Sequence, residues 1–129
     1  MAASTQPVNI TTFIAGGTIR KFRFVKIDDS AGTVSECGAN GRAVGISQND
    51  ASASAGELIE VALSGGGAKL EVSEAMGEGK MVTSTSTGKG EIVDAAGEWV
   101  GAVAFQAGGA DGDVIGVRVY GFQAHASDA

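Results

Sequence analysis

A nucleophile and a general base must be held in hydrogen-bond register, and this chain offers few residues for either role. It contains one histidine, His125, and one cysteine, Cys37. His125 lies among alanine, serine and aspartate near the end of the sequence, where a short polar tail gives a general base no fixed geometry. Cys37 sits between Glu36 and Gly38, and a neighbouring carboxylate raises a thiol pKa instead of activating it. A single cysteine forms no internal disulfide, and one His with one Cys is too few for a zinc site built from several such ligands. Asp28, Asp29, Asp50, Asp111 and Asp113 all stand among turn residues. The run Asp111-Gly112-Asp113 lacks the ligand spacing of a calcium-binding loop, so turn chemistry accounts for it. Two glycine-rich runs, Gly77-Glu78-Gly79-Lys80 and Thr87-Gly88-Lys89-Gly90, lack the spacing of a phosphate loop, and Glu78 and Glu91 would repel a phosphate. No catalytic set, metal site or cofactor motif is legible, and the expectation is a protein that is not an enzyme and carries no cofactor.

The remaining polar chemistry is suited to binding. Arg20, Lys21, Arg23 and Lys26 are four of the nine cations, and they interleave with Phe22 and Phe24. Basic residues with aromatics can hold single-stranded nucleic acid. A net charge of −6 and a pI near 4.6 argue against a phosphate partner, so no nucleic acid is expected. The cluster reads better as a contact for an acidic protein surface, or as cross-strand ion pairs. A second candidate is residues 1–12, small and polar with the only proline, which read as an extended arm. Pro7 would lower the entropy lost on docking, and Val8 and Ile10 would fill pockets along a neighbour's sheet edge. The candidate interface residues are therefore Pro7, Val8, Ile10, Arg20, Lys21, Arg23 and Lys26.

The elements that must carry these residues are strands. The 129 residues suit one domain, and the 13 Val and 8 Ile against 3 Leu favour pleated sheet over helix. No apolar run approaches the ~20 residues of a membrane helix, and the first residues lack a basic and apolar leader, so a soluble protein with no membrane partner is expected. Strand patterns separated by Gly, Asp and Asn turns run from Ile19 onward. In the two longest, Ile59, Val61 and Leu63 share one face, as do Ile115, Val117 and Val119. Residues 73–76 are the best candidate for one short helix. Shifting the sequence by 56 superposes residues 24–65 on 80–121 without a gap, with 11 identities in 42 pairs, among them Val44-Gly45 on Val100-Gly101. Gly45 and Gly101, inside apolar runs, mark a bulge, a barrel corner or a close backbone approach. The fold expected is all-β: a small β-barrel or sandwich of short strands with an internal duplication. Its single β-rich domain spans 13–122, followed by a tail at 123–129. Its core would hold Trp99, Val100, Ile115, Val117 and Val119, matched by Ile46, Ile59, Val61 and Leu63.

Several motifs in order along the chain resemble the capsid cement, or decoration, proteins of tailed bacteriophages. They are Phe24-Val25-Lys26; Gly41-Arg42-Ala43-Val44-Gly45-Ile46-Ser47-Gln48-Asn49-Asp50-Ala51; Gly56-Glu57-Leu58-Ile59-Glu60-Val61 through Lys69; Gly97-Glu98-Trp99-Val100-Gly101; and Gly112-Asp113-Val114-Ile115. The likeness covers roughly residues 10–122. It implies a small β-rich protein on the outer surface of the virion capsid, often a homotrimer, that clamps neighbouring major capsid protein subunits. It brings no catalytic residue. The alternative from the residues alone is an extracellular carbohydrate-binding or adhesin-like module. Its weakness is that Trp99, Tyr120 and most of the Phe side chains fall in strand patterns that predict core.

Overall fold

A computed structural model describes residues 9–29, 32–49 and 51–124. Pro7, Val8, Asp50, His125 and most of the expected arm and tail lie outside the described residues. Ten strands follow in order: β1 (Ile10–Ile14), β2 (Phe24–Ile27), β3 (Val34–Glu36), β4 (Gly45–Ser47), β5 (Leu58–Leu63), β6 (Gly67–Glu71), β7 (Met81–Ser84), β8 (Gly90–Ile92), β9 (Trp99–Ala104) and β10 (Val114–Gln123). They form two antiparallel five-stranded sheets packed as a small sandwich, and no helix occurs among the described residues. The short helix expected at 73–76 is replaced by a bend and an antiparallel bridge from Met76 to Gly108. Four residues cannot offset helix nucleation when a pairing edge lies alongside. The first strand also begins earlier than the sequence indicates: Ile10, Thr11 and Thr12 belong to β1 and pair with β5, so the sheet takes in the end of the segment read as an arm.

The strand order is β1-β5-β4-β2-β3 in the first sheet and β6-β10-β9-β7-β8 in the second, one topology used twice. The ladders show that the correspondence is not a constant shift. Thr11 faces Val61 as Ala68 faces Val117, an offset of 57 on the outer strand and 56 on its partner. Gly45 faces Leu63 while Ala102 faces Val119, so the counterpart of Gly45 is Ala102, not Gly101. One-residue differences in the turns are absorbed there, and the strands keep their faces. Gly56 and Gly112 occupy equivalent turns before the two long strands, with φ of 86° and 93° that a β-carbon would oppose.

Each sheet curls until its edges meet. A parallel bridge joins Ala15, beyond β1, to Val34 of β3, and another joins Val72, beyond β6, to Gly90 of β8. Inside the first curl lie Ile19, Val25, Val34, Ile59 and Val61. Inside the second lie Leu70, Val72, Val82, Ile115 and Val117, and this cluster also takes in Phe24, Cys37, Ile46 and Ala62 from the outer face of the first sheet. That shared cluster is the joint between the sheets. Val100 and Val119 are buried as the sequence indicates, whereas Trp99 and Leu63 are only half-buried. Both glycines of interest mark close approaches: a β-carbon on Gly45 would strike the Ala62 carbonyl, and one on Gly101 would lie 2.6 Å from the Phe24 ring.

Candidate interaction surfaces

The basic cluster is divided by the fold. Arg23 lies in the turn before β2, and its side chain is carried inward to 5% exposure. Its guanidinium donates to the Thr87 carbonyl at 2.8 Å and meets Glu71 at 3.5 Å. Glu71 also pairs with Lys89 at 3.3 Å, and Lys89 with Asp111 at 2.8 Å. Arg23 thereby ties the first sheet's entry turn to the second sheet. Arg20 holds Glu36 with two side-chain donors, at 2.7 and 3.0 Å, while its backbone amide donates to the same carboxylate and its guanidinium reaches the Thr87 carbonyl at 3.5 Å. Burial alone would raise the Glu36 carboxyl, but the Arg20 hydrogen bonds and charge hold it below the usual carboxylate range. Arg20 and Arg23 thus serve internal pairs. Lys21 and Lys26 remain exposed, Lys21 resting over the Phe22 ring at 5.7 Å with Lys69 on that ring at 5.8 Å.

Among the described residues, Cys37, Asp28, Asp111 and Asp113 have structural occupations. Cys37 is buried in the joint, where desolvation pushes its thiol up to about 11. Asp28 accepts the hydroxyls of Thr33 and Ser35, which hold its carboxyl low. Asp113 accepts the amides of Gly109 and Ala110, closing the turn before β10, and Asp111 pairs with Lys89. A shallow groove of about 520 Å³ opens on the β1–β5 side, lined by Thr12, Asn49, Ser52, Glu57, Leu58 and Glu60. Its walls combine two carboxylates with amides and one exposed leucine, a lining for a protein or peptide surface.

Sequence reasoning missed the strongest surface feature, the outward edge of β1, which stays open along the strand until the chain meets β3 at Ala15. Ala15 N–H bonds to the Glu57 carbonyl and Leu63 N–H to the Asn9 carbonyl, so odd-numbered residues direct their amides toward β5. Ile10, Thr12 and Ile14 turn theirs to the other side, where no partner lies among the described residues. This strand, Ile-Thr-Thr-Phe-Ile, carries no charge, proline or bulge, the usual protections of an edge. The β-branched and aromatic run Ile10-Thr11-Thr12-Phe13-Ile14 favours a strand, but it lacks apolar–polar alternation and follows a polar stretch, so it reads as the end of an arm. Aromatics also surface more than expected: Phe105, Tyr120 and Phe122 are exposed, the last two packed edge to face at 6.2 Å.

No protein-family model matches the sequence, and no curated protein matches it either. The fold is similar to the crystal structure of the N base of the head fiber protein gp8.5 of bacteriophage phi29, with a TM-score of 0.68 over 86% of this chain and 92% of that one, at 12% sequence identity.

Proposed function

We propose that this chain is a structural protein of a bacteriophage head, acting as a decoration protein that binds the outer capsid surface and bridges major capsid protein subunits. The observation that carries this reading is the fold shared, nearly end to end, with the base of a phage head fiber. The sequence motifs resembling cement proteins point the same way. The binding chemistry suits the role: an open strand edge, an adjoining polar groove and exposed Lys21 and Lys26 offer backbone pairing and charge to a protein partner. Several weak contacts made by one oligomer, a homotrimer in the resemblance, gain effective concentration, and contacts available only on the assembled shell stabilise that shell by linkage.

The test is co-sedimentation with purified heads stripped of this protein, followed by heating of the heads with and without it. The protein should pellet with heads and raise the temperature at which they release DNA. Protein left in the supernatant would sink the reading. The exposed Tyr120–Phe122 pair favours a second reading, a glycan-binding module, since sugars stack on such faces. Binding on a glycan array that Tyr120→Ala abolishes, with no pelleting on heads, would select it.

A further inference from the structure

The two sheets are equivalent in topology but not in what covers them. The edge of β6 is sealed by the first sheet. The Gln48 side chain donates to the Lys69 carbonyl at 2.9 Å and accepts the Lys69 amide at 3.1 Å, and Glu71 N–H bonds to the Phe22 carbonyl at 2.9 Å. The ladders make Thr12 and Ile14 of β1 the counterparts of Lys69 and Glu71. Their outward amides meet nothing among the described residues. Ser84, whose carbonyl accepts the Asn40 amide, corresponds to Ile27. The surface on the first sheet that matches the sealed one is therefore open, and it is apolar: Ile14 is 46% and Ile27 52% exposed.

The complementary surface is only partly covered, with Met81 lying against the small Val93–Val100–Ala124 cluster. In the first sheet Phe24, Ile46 and Ala62 lie side by side across β2, β4 and β5 and are fully buried against the second sheet. Their counterparts Met81, Val103 and Arg118 lie side by side across β7, β9 and β10, with Met81 and Val103 half-buried and Arg118 exposed. Phe22 and Gly79 are equivalent, each donating its amide to the last residue of the adjacent strand, Ser47 or Ala104, and each with positive φ. Gln48 and Phe105 are equivalent too, bonding to the Glu60 and Gly116 carbonyls. Where Gln48 seals an edge, Phe105 stands 49% exposed.

We infer that this chain associates with itself head to tail. The Met81–Val103–Phe105 face of one copy packs on the β1–β2 side of the next, repeating between molecules the contact that joins the two sheets within one. The occupant is a second copy because the molecule already carries both halves of this contact, one used and one left open on each sheet. The two halves are different surfaces, so the contact is heterologous and extends to rings or chains of more than two copies. Phe105 replaces the two Gln48–Lys69 hydrogen bonds with apolar burial at Thr12, the counterpart of Lys69, beside the exposed Ile14. This gives surfaces to the oligomer in the proposed function, but it rests on the two sheets alone and needs no capsid.

The experiment is sedimentation equilibrium at about 100 µM, where a weak specific contact is populated. The natural protein should associate beyond a dimer. Ile14→Lys protects the β1 edge and Phe105→Glu charges the opposite face. Each should weaken association by about tenfold or more, with the circular-dichroism melt of the free protein unchanged. The two variants mixed in equal amounts should form a 1:1 dimer and stop there, because each retains the half the other lacks. A natural protein that stays monomeric, single variants that still associate, or a mixture that stays monomeric would each overturn the inference. Failure of the capsid test with success here would leave the self-contact standing.

Discussion

Arg23 and Arg20 are three residues apart and read alike in the sequence, yet the fold sets them in opposite electrostatic situations. Arg23 is desolvated between the sheets, and removing it leaves the Thr87 carbonyl only the long 3.5 Å contact from Arg20 and strips Glu71 of one partner. Arg23→Ala should cost about 2–4 kcal/mol, since breaking a buried charged contact leaves its partners unpaid. Arg20→Ala removes an ion pair with one exposed member and should cost about 1 kcal/mol or less. Urea melts of both variants check this, with an equal loss at the two sites counting against the assignment. The carboxyls of Asp28 and Glu36 are both held low in the folded protein, Asp28 by the Thr33 and Ser35 hydroxyls, Glu36 by Arg20 against the upward push of burial. Their contribution is present above the ordinary carboxylate pKa of about 4 and is lost as pH falls through the lower folded values. Glu91 is raised by burial and by Glu74, Glu98 and Asp94, so it works in the opposite sense: its cost to the fold grows as pH rises from the ordinary carboxylate value to its higher folded one and is constant above that. Melting temperature against pH should therefore fall below about pH 4, and Asp28→Asn should flatten that limb.

At the scale of the element, period-two alternation delivers strands whose identity is readable and whose pairing is not. β5 has the bounds its pattern indicates, and Ile59 and Val61 point into the first curl. Ile59→Ala should cost about 2–5 kcal/mol by leaving a cavity in a closed interior, measured by denaturant midpoint. Gly45→Ala tests a different constraint. The new methyl would meet the Ala62 carbonyl of the paired strand, a backbone atom that cannot swing aside. Its cost should reach about 2 kcal/mol or more, whereas Ala102, its counterpart in the second sheet, already carries that methyl. Full stability in Gly45→Ala would show that β4 and β5 shift apart freely. The sequence identity of Gly45 with Gly101 hides this: one glycine makes room for a neighbouring backbone, the other for the Phe24 ring.

For the whole molecule, the joint decides cooperativity. Phe24 belongs to a first-sheet strand but packs in the second sheet's cluster. The two sheets should unfold in one transition, with Trp99 fluorescence and far-UV circular dichroism coincident. Phe24→Ala should cost about 3–5 kcal/mol and separate the two curves, and coincident curves in that variant would place the coupling elsewhere. Composition and alternation by themselves determined an all-β chain, its glycine turns, most of its strands and buried faces, and a repeat of about half its length, because these are local consequences of side-chain shape and period. Which edge is open and which is sealed could not be read this way. Thr12 and Lys69 hold equivalent positions on the two outer strands, yet Gln48, distant in sequence from both, covers one and leaves the other. The same holds for Arg20 and Arg23, and for Phe24 against Phe105. Exposure at these sites is set by how one curled sheet seats on the other, and that geometry exists only in the assembled fold.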